Sequence, residues 1–268
     1  MKGRVSKARG PMSAIMTAIP QAVTELVDVL AAMPGTVAVV LGGSRAVRSD
    51  DKESDWDLGV YYRGEIDLTA LSALGTVFPP GSWGRVMNGG AWLECGEEKV
   101  DVILRDLAVV EYWTRRAQEG EFDRDALLGY LTGIPTYVLT AELASCLPLR
   151  GSVEAVPFPP KLAAAAPQVW RFCRSFSLDY ARMHARRGNV AGVAGQAAAA
   201  VMEEAHAISC ERGQWVCNEK RLIEAAGLSS LNEVFAQIPN EREWLLEWVN
   251  LVADRLGVQK SEAMPWKR

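Results

Sequence analysis

The chain has 268 residues, of which 49% are hydrophobic and 23% charged, and its formal net charge is −4. This length is enough for one large or two modest domains with real cores, and the apolar share argues against disorder. The acidic balance argues against a nucleic-acid partner, because nucleic-acid binders are usually basic.

Targeting and redox signals are few. No apolar stretch reaches transmembrane length, and the basic residues 1–9 are not followed by the apolar segment of a secretory signal. The five cysteines show no CxxC spacing, which argues against zinc and against a disulfide framework. We therefore expect a cytoplasmic protein with no membrane partner, in which residues 1–12 are disordered.

The first half of the chain predicts alternating helices and strands. Apolar residues at helical spacing predict a helix over 20–33, which Pro34 and Gly35 end. Apolar, β-branched runs predict strands over 37–41, 57–62 and 98–104. The other elements predicted here are a helix over 67–74 capped by Asp67, a loop over 78–84, a hairpin that pairs 85–87 with 91–95, and a helix to Gln118 capped by Asp106.

The second half predicts helices. A proline-rich segment over 151–160 marks the boundary between a domain of residues 1–152 and a helical domain of residues 153–268. The predicted helices are one ended by Gly188 with an apolar face of Val169, Phe172, Cys173, Phe176, Tyr180 and Met183, an alanine-rich one over 189–212, a short one over 219–226, and one over 241–256 with Trp244, Leu245, Trp248 and Val249 on its apolar side. The sequence therefore predicts an α/β (α+β) protein with a small mixed sheet, flanking helices and a C-terminal helical bundle.

The most informative motif lies between the first two strands. Gly42-Gly43-Ser44 ends the first strand, and Asp55 and Asp57 open the second after a polar spacer. Residues i and i+2 of a strand share a face, so we expect the two carboxylates to project together. Adjacent carboxylates repel each other unless a cation lies between them, and Mg²⁺ suits such ligands. The glycines let backbone N–H groups approach a phosphate closely.

Asp101 supplies a third carboxylate, because it interrupts another apolar strand. A charge in a buried strand is costly unless it is paired or bound to metal. With Asp55 and Asp57 it could hold two divalent ions about 3.5–4 Å apart, as in-line nucleotidyl transfer requires. A structural pairing of Asp101 with Arg105 or Lys99 stays open.

These elements resemble the nucleotidyltransferases of the polymerase-beta-like superfamily, whose pattern is Gly, then Gly or Ser, a spacer, Asp-x-Asp and a later strand carboxylate. The match lies at Gly43, Ser44, Asp55, Asp57 and Asp101. A catalytic domain followed by a helical domain is most similar to the antibiotic (aminoglycoside or lincosamide) nucleotidyltransferases. The resemblance implies catalytic and metal-binding roles for the three aspartates, and phosphate binding by the glycine and serine. It also implies two Mg²⁺ ions and a nucleoside triphosphate, with ATP as the first candidate donor.

Four further residues are candidates. Arg45, beside the glycine turn, and Lys220, at a predicted helix start, are candidates for phosphate binding. Asp179 and Glu203 are candidates for binding a substrate ammonium. Three of them have a structural alternative: a solvated helix face for Glu203, helix capping by Asn218 with a solvated side chain for Lys220, and an ion pair with Arg182 or Arg186 for Asp179.

The residues exclude two other kinds of site. A calcium loop that starts at Asp55 would need Gly and Glu where Val60 and Ile66 stand. A Walker A loop fails because no Gly-Lys-Ser/Thr follows the glycines. The acidic residues between 50 and 53 leave open a third possibility, a solvated acidic loop.

The expected function is transfer of a nucleoside monophosphate from a nucleoside triphosphate to the hydroxyl of an acceptor. The acceptor expected is a small aminated molecule such as an aminoglycoside-type antibiotic, and the expected enzyme is a monomer or homodimer. A protein- or tRNA-modifying nucleotidyltransferase and a non-catalytic nucleotide-binding module remain open as alternatives.

Overall fold

A computed structural model of the chain describes residues 19–46 and 54–258. The predictions of a disordered start over 1–12 and of an acidic loop over 50–53 lie outside these residues. The elements described are, in chain order, α1 (Gln21–Ala32), β1 (Thr36–Leu41), α2 (Gly43–Ala46), β2 (Trp56–Tyr62), a 3₁₀ turn (Thr69–Leu71), β3 (Gly75–Phe78), α3 (Gly84–Met87), β4 (Gly90–Cys95), β5 (Glu98–Asp106), α4 (Leu107–Gln118), β6 (Arg124–Asp125), β7 (Ile134–Pro135), α5 (Val138–Ser145), β8 (Leu147–Gly151), α6 (Pro160–Ala185), α7 (Val190–Glu211), α8 (Leu222–Ala225), α9 (Leu231–Phe235) and α10 (Arg242–Arg255).

The described chain divides into two compact units. The first contains residues 19–46, 54–112 and 142–156, and the second contains residues 113–141 and 157–258. The predicted domain boundary assigns residues 113–141 to the first domain, whereas the structure groups them with the second. Among the helices of the described residues, none is both long and apolar enough to cross a membrane.

The first unit is built on a six-stranded mixed sheet with the order β3-β4-β5-β2-β1-β8. β2 and β5 are parallel, and every other neighbouring pair is antiparallel. The architecture predicted from the sequence, a small mixed sheet with helices, is confirmed. Alternation along the strands buries one set of side chains against α1. This core includes Leu26 and Leu30 of α1 together with Leu41, Leu58, Val60, Val100 and Val102 of the sheet.

Two local predictions in this unit are wrong. Asp67 does accept a hydrogen bond from the Thr69 N–H at 2.8 Å, but only a 3₁₀ turn follows instead of a helix. The segment expected to pair with β4 forms α3, and β3 pairs with β4 instead. Gly75 starts β3, and glycine is needed there because a Cβ would collide with the Trp92 backbone of the neighbouring strand.

The second unit is centred on α6 and α7, which pack along each other. Small residues at this contact let the two helix backbones approach closely. The contact residues include Ala181 and Ala185 of α6 and Val193, Ala197 and Ala200 of α7. The predicted apolar face of α6 is therefore not its buried face, and the residues on it that stay exposed are Val169, Phe172, Phe176, Tyr180 and Met183.

On α10, the predicted apolar side is correct with one exception. Leu245, Trp248 and Val249 are buried, whereas Trp244 is exposed.

Candidate functional site

Asp57 of β2 and Asp101 of β5 lie side by side, because they are paired in register on adjacent parallel strands. The next residues along each strand, Leu58 and Val102, are buried in the core, while both aspartates are partly accessible. Strand alternation therefore places the two carboxylates on the sheet face opposite α1. The structure thus brings together two of the three carboxylates that the sequence predicts to act together.

The glycine turn lies against the carboxylate of Asp57. The Gly42 N–H donates to the Asp57 carbonyl oxygen at 2.8 Å, and Gly43 has a φ of +61°. A Cβ added to Gly43 would lie 2.5 Å from the Asp57 Cγ and closer still to Oδ2. Only glycine fits this position without moving the carboxylate. Ser44 follows within the single helical turn α2.

Arg45 holds the start of β2. Its Nε donates to the carbonyl oxygens of Ser54 at 3.1 Å and Asp55 at 3.2 Å, and its guanidinium lies 4.2 Å from the Trp56 ring centroid. Trp56 is itself buried, and its Nε1 donates to Glu98 at 2.8 Å. These contacts give Arg45 a positioning role for the strand that carries the Asp-x-Asp motif, while its phosphate-binding role stays a prediction.

The carboxylates near the glycine turn are the candidate ligands for a metal ion. Asp55 immediately precedes β2 and is exposed. Within residues 19–46 and 54–258, no group of three or more His, Cys, Asp or Glu side chains lies together as metal ligands would. The two carboxylates of Asp57 and Asp101 still fit Mg²⁺, which commonly takes one or two protein carboxylates and completes its shell with water and phosphate oxygens. A second ion, as predicted, would need Asp55 to join them.

Trp92 of β4 is a neighbour of this site that the sequence reasoning missed. It pairs in register with Asp101, so the two side chains share a face of the sheet. Trp92 is 56% exposed, and its ring centroid lies 4.6 Å from that of Phe78 and 6.0 Å from that of Trp83. Such a cluster beside a carboxylate suits a flat ring or a cation. The alternation of exposed and buried residues along β4 is the signal that could have found it.

Two candidates of the second unit have structural contacts. Asp179 accepts a hydrogen bond from Arg182 Nη1 at 3.0 Å, which is the ion pair considered as its alternative. Lys220 is exposed, and its backbone N–H donates to Asn218 Oδ1 at 3.1 Å. The short helix predicted over 219–226 is present but covers only Leu222–Ala225, so its predicted start, which would have included Lys220, is wrong. The side chain of Asn218 forms a local turn instead.

Glu203 lies on α7 and is only 5% exposed, so it does not belong to a solvated helix face. Ser177 Oγ donates to its Oε2 at 2.8 Å, and Arg124 Nη1 lies 3.5 Å from its Oε1. Burial raises the pKa of the Glu203 carboxyl above its ordinary value, against the opposing effects of Ser177 and Arg124. The side chain also lines a pocket of about 660 Å³ within the second unit.

No protein-family model matches the chain, and no curated protein sequence matches it. Among solved structures, the chain is similar to a nucleotidyltransferase-like protein from Exiguobacterium sibiricum 255-15. The two are 16% identical, the match covers 88% of this chain and 72% of that one, and the TM-score is 0.45. A likeness this distant carries nothing about activity, so a function for this chain has to come from its own residues.

Proposed function

We propose that the chain is a Mg²⁺-dependent nucleotidyltransferase that moves a nucleoside monophosphate from a nucleoside triphosphate, ATP first among the candidates, to a hydroxyl of a small aminated acceptor. One observation carries the proposal. Asp57 and Asp101 are paired in register on adjacent parallel strands, and Gly43 lies against the Asp57 carboxylate. Two carboxylates beside a close backbone turn suit a metal-bound triphosphate.

In this proposal Asp57 and Asp101 would hold Mg²⁺, and the bound ion would neutralise charge on the triphosphate. The backbone N–H groups around Gly43 and Ser44 bind the outer phosphates. Asp101 accepts the proton of the acceptor hydroxyl as the hydroxyl oxygen bonds to the α-phosphorus. The bond from that phosphorus to the bridging oxygen breaks, and pyrophosphate leaves with the electron pair.

The surface beside Asp101 supports an acceptor with rings or amino groups. The exposed ring of Trp92 offers a stacking face, and an aromatic face also attracts a cation. The chain's net charge of −4 favours a cationic acceptor over the phosphates of tRNA. The roles of Asp179 and Lys220 in substrate and phosphate binding stay predictions, and Glu203, which lines a pocket of the second unit, is not assigned to this reaction.

The test compares triphosphates labelled on the α-phosphate with triphosphates labelled on the γ-phosphate. Each of ATP, GTP, CTP and UTP is incubated with Mg²⁺ and, in turn, with aminoglycosides, a mixture of proteins, and tRNA. We expect the α-label, but not the γ-label, to appear on an aminated small molecule. The Asp57→Asn variant is the control that should transfer neither.

Transfer of the γ-label would contradict the proposed reaction, because that label reaches the acceptor only in phosphoryl or pyrophosphoryl transfer. Transfer of the α-label to tRNA or to protein, with no aminoglycoside modified at high enzyme concentration, would replace the proposed acceptor and leave the reaction in place.

A further inference from the structure

The second unit contains a pocket that the proposed reaction does not use. It lies between α7 and the loop that joins β6 to β7, and its volume is about 660 Å³. Sites for small molecules commonly have volumes of about 300–1,000 Å³. The lining includes the apolar side chains of Leu127, Leu128 and Leu131 and the charged side chains of Arg124, Asp125 and Glu203.

Hydrogen bonds fix the loop that forms one wall of this pocket. Tyr130 donates its hydroxyl to the Cys217 carbonyl oxygen at 2.7 Å, and Thr132 donates its hydroxyl to Glu219 at 2.7 Å. Burial opposes ionisation of Glu219, but hydrogen bonds from His206 and Thr132 outweigh it and lower its pKa. A buried carboxylate that remains ionised is a strong acceptor. The wall is therefore held in place before any ligand arrives.

Glu203 contributes a buried carboxylate to the pocket, with one short and one long contact. Its Oε2 accepts from Ser177 at 2.8 Å, but Arg124 Nη1 is 3.5 Å from its Oε1. The Arg124 guanidinium also donates to the Thr132 carbonyl oxygen at 3.3 Å and lies 5.0 Å from the Trp170 ring centroid. A buried charge is stable only when it is well paired and hydrogen-bonded. A cation in the pocket would give Oε1 a closer partner.

The charges that line the pocket sum to one negative charge, because Arg124 offsets only one of Asp125 and Glu203. The neighbouring cation Arg174 donates to Glu204 at 2.6 Å, and its charge also favours the ionised form of Glu203, although Arg174 does not line the pocket. Leu128, at the rim, is 97% exposed, which suits contact with an apolar body.

We propose that this pocket binds a small molecule with a single amine cation on an apolar body, with Glu203 as its counter-ion. The inference does not rest on the proposed function, because no residue of the pocket belongs to the Asp57 and Asp101 site and binding needs no nucleotide.

The test is calorimetry of the full chain with three probes of one shape: phenylbutylamine, phenylbutanol and phenylbutyrate. We expect the amine to bind at least about tenfold more tightly than the alcohol or the acid, since one charge-assisted hydrogen bond is worth that much. Glu203→Gln should reduce amine affinity by about tenfold or more and leave alcohol affinity unchanged. A Leu131→Ala variant should weaken amine binding several-fold, while Leu251→Ala, an exposed leucine of α10, should change nothing.

Three results would overturn the inference. The first is that the wild-type chain does not bind the amine, and the second is that it binds phenylbutyrate more tightly than the amine. The third is equal amine affinity in the wild type and a folded Glu203→Gln variant. If Glu203→Gln does not fold, equal amine affinity in the wild type and Leu131→Ala would overturn it as well.

Discussion

Replacing Gly43 with alanine tests the contact between the glycine turn and the Asp57 carboxylate. The added Cβ would lie 2.5 Å from the Asp57 Cγ and closer still to Oδ2, so the carboxylate must move by at least about 1 Å to restore normal contact. Misplacing a catalytic group by about 1 Å can cost roughly 100-fold in rate. The backbone adds a separate cost, because a φ of +61° disfavours alanine by about 1–2 kcal/mol.

Gly64 provides the matched control. It has a φ of +75°, and a Cβ there would meet nothing within 4 Å. Gly64→Ala therefore carries the same backbone cost without moving a carboxylate. We expect both variants to lower the free energy of unfolding in urea by about 1–2 kcal/mol, and only Gly43→Ala to lower the transfer rate by about 100-fold and to weaken binding of the Mg²⁺–triphosphate.

Transfer at the wild-type rate by Gly43→Ala would contradict a role for the contact between Gly43 and the Asp57 carboxylate. An equal loss of activity in Gly64→Ala would also contradict it, because the loss would then come from the backbone rather than from the carboxylate.

Three further predictions use residues on known faces of the elements. Asp57→Asn should abolish transfer and change the free energy of unfolding by less than about 0.5 kcal/mol. Leu58→Ala, at the next position, should instead lower the free energy of unfolding in urea by about 2–5 kcal/mol. Normal turnover by Asp57→Asn would contradict the role given to its carboxylate. Trp92→Ala should raise the KM for the acceptor but not for the triphosphate, while Trp244→Ala, which removes a ring that is 53% exposed, should change neither; equal effects would remove the proposed role of Trp92. Burial lowers the pKa of His206 below 6.5, so its stabilising contribution is full above about pH 6.5 and is lost as the pH falls through the lowered pKa. Between pH 7.5 and pH 5.5 the free energy of unfolding should therefore fall less in His206→Gln than in the wild type. An equal fall in the two proteins would contradict a lowered pKa for His206.

Local patterns predicted much of the first unit because each depends on neighbours in sequence. The glycine turn, the strand that follows Asp55 and the apolar strand around Asp101 all have such patterns, and the structure has strands at both places. The register between these two strands could not be predicted in the same way. The register that pairs Asp57 with Asp101 arises from the parallel contact of β2 and β5, which are separated by β3 and β4 in the chain. Strand alternation limits that register without specifying it.

The second unit was harder to predict because close packing there selects for size as well as hydrophobicity. α6 buries Ala181 and Ala185 against α7, while Phe172 and Phe176 stay exposed. A hydrophobic pattern ranks the aromatic face first and so chooses the wrong side of the helix. The buried state of Glu203 was missed for a related reason. Its partners Ser177 and Arg124 are distant in sequence, so no local pattern shows that the carboxylate is paired.

Asp57 and Asp101 are proposed to form a site for a metal-bound triphosphate, and calorimetry tests this without knowledge of the acceptor. A non-hydrolysable ATP analogue is titrated into the wild type with Mg²⁺, the wild type with EDTA, and Asp57→Asn with Mg²⁺. We expect binding in the first titration and at least about a tenfold weaker affinity in the other two, since each removes a charged interaction. Equal affinity with and without Mg²⁺, or in the wild type and a folded Asp57→Asn variant, would contradict the claim.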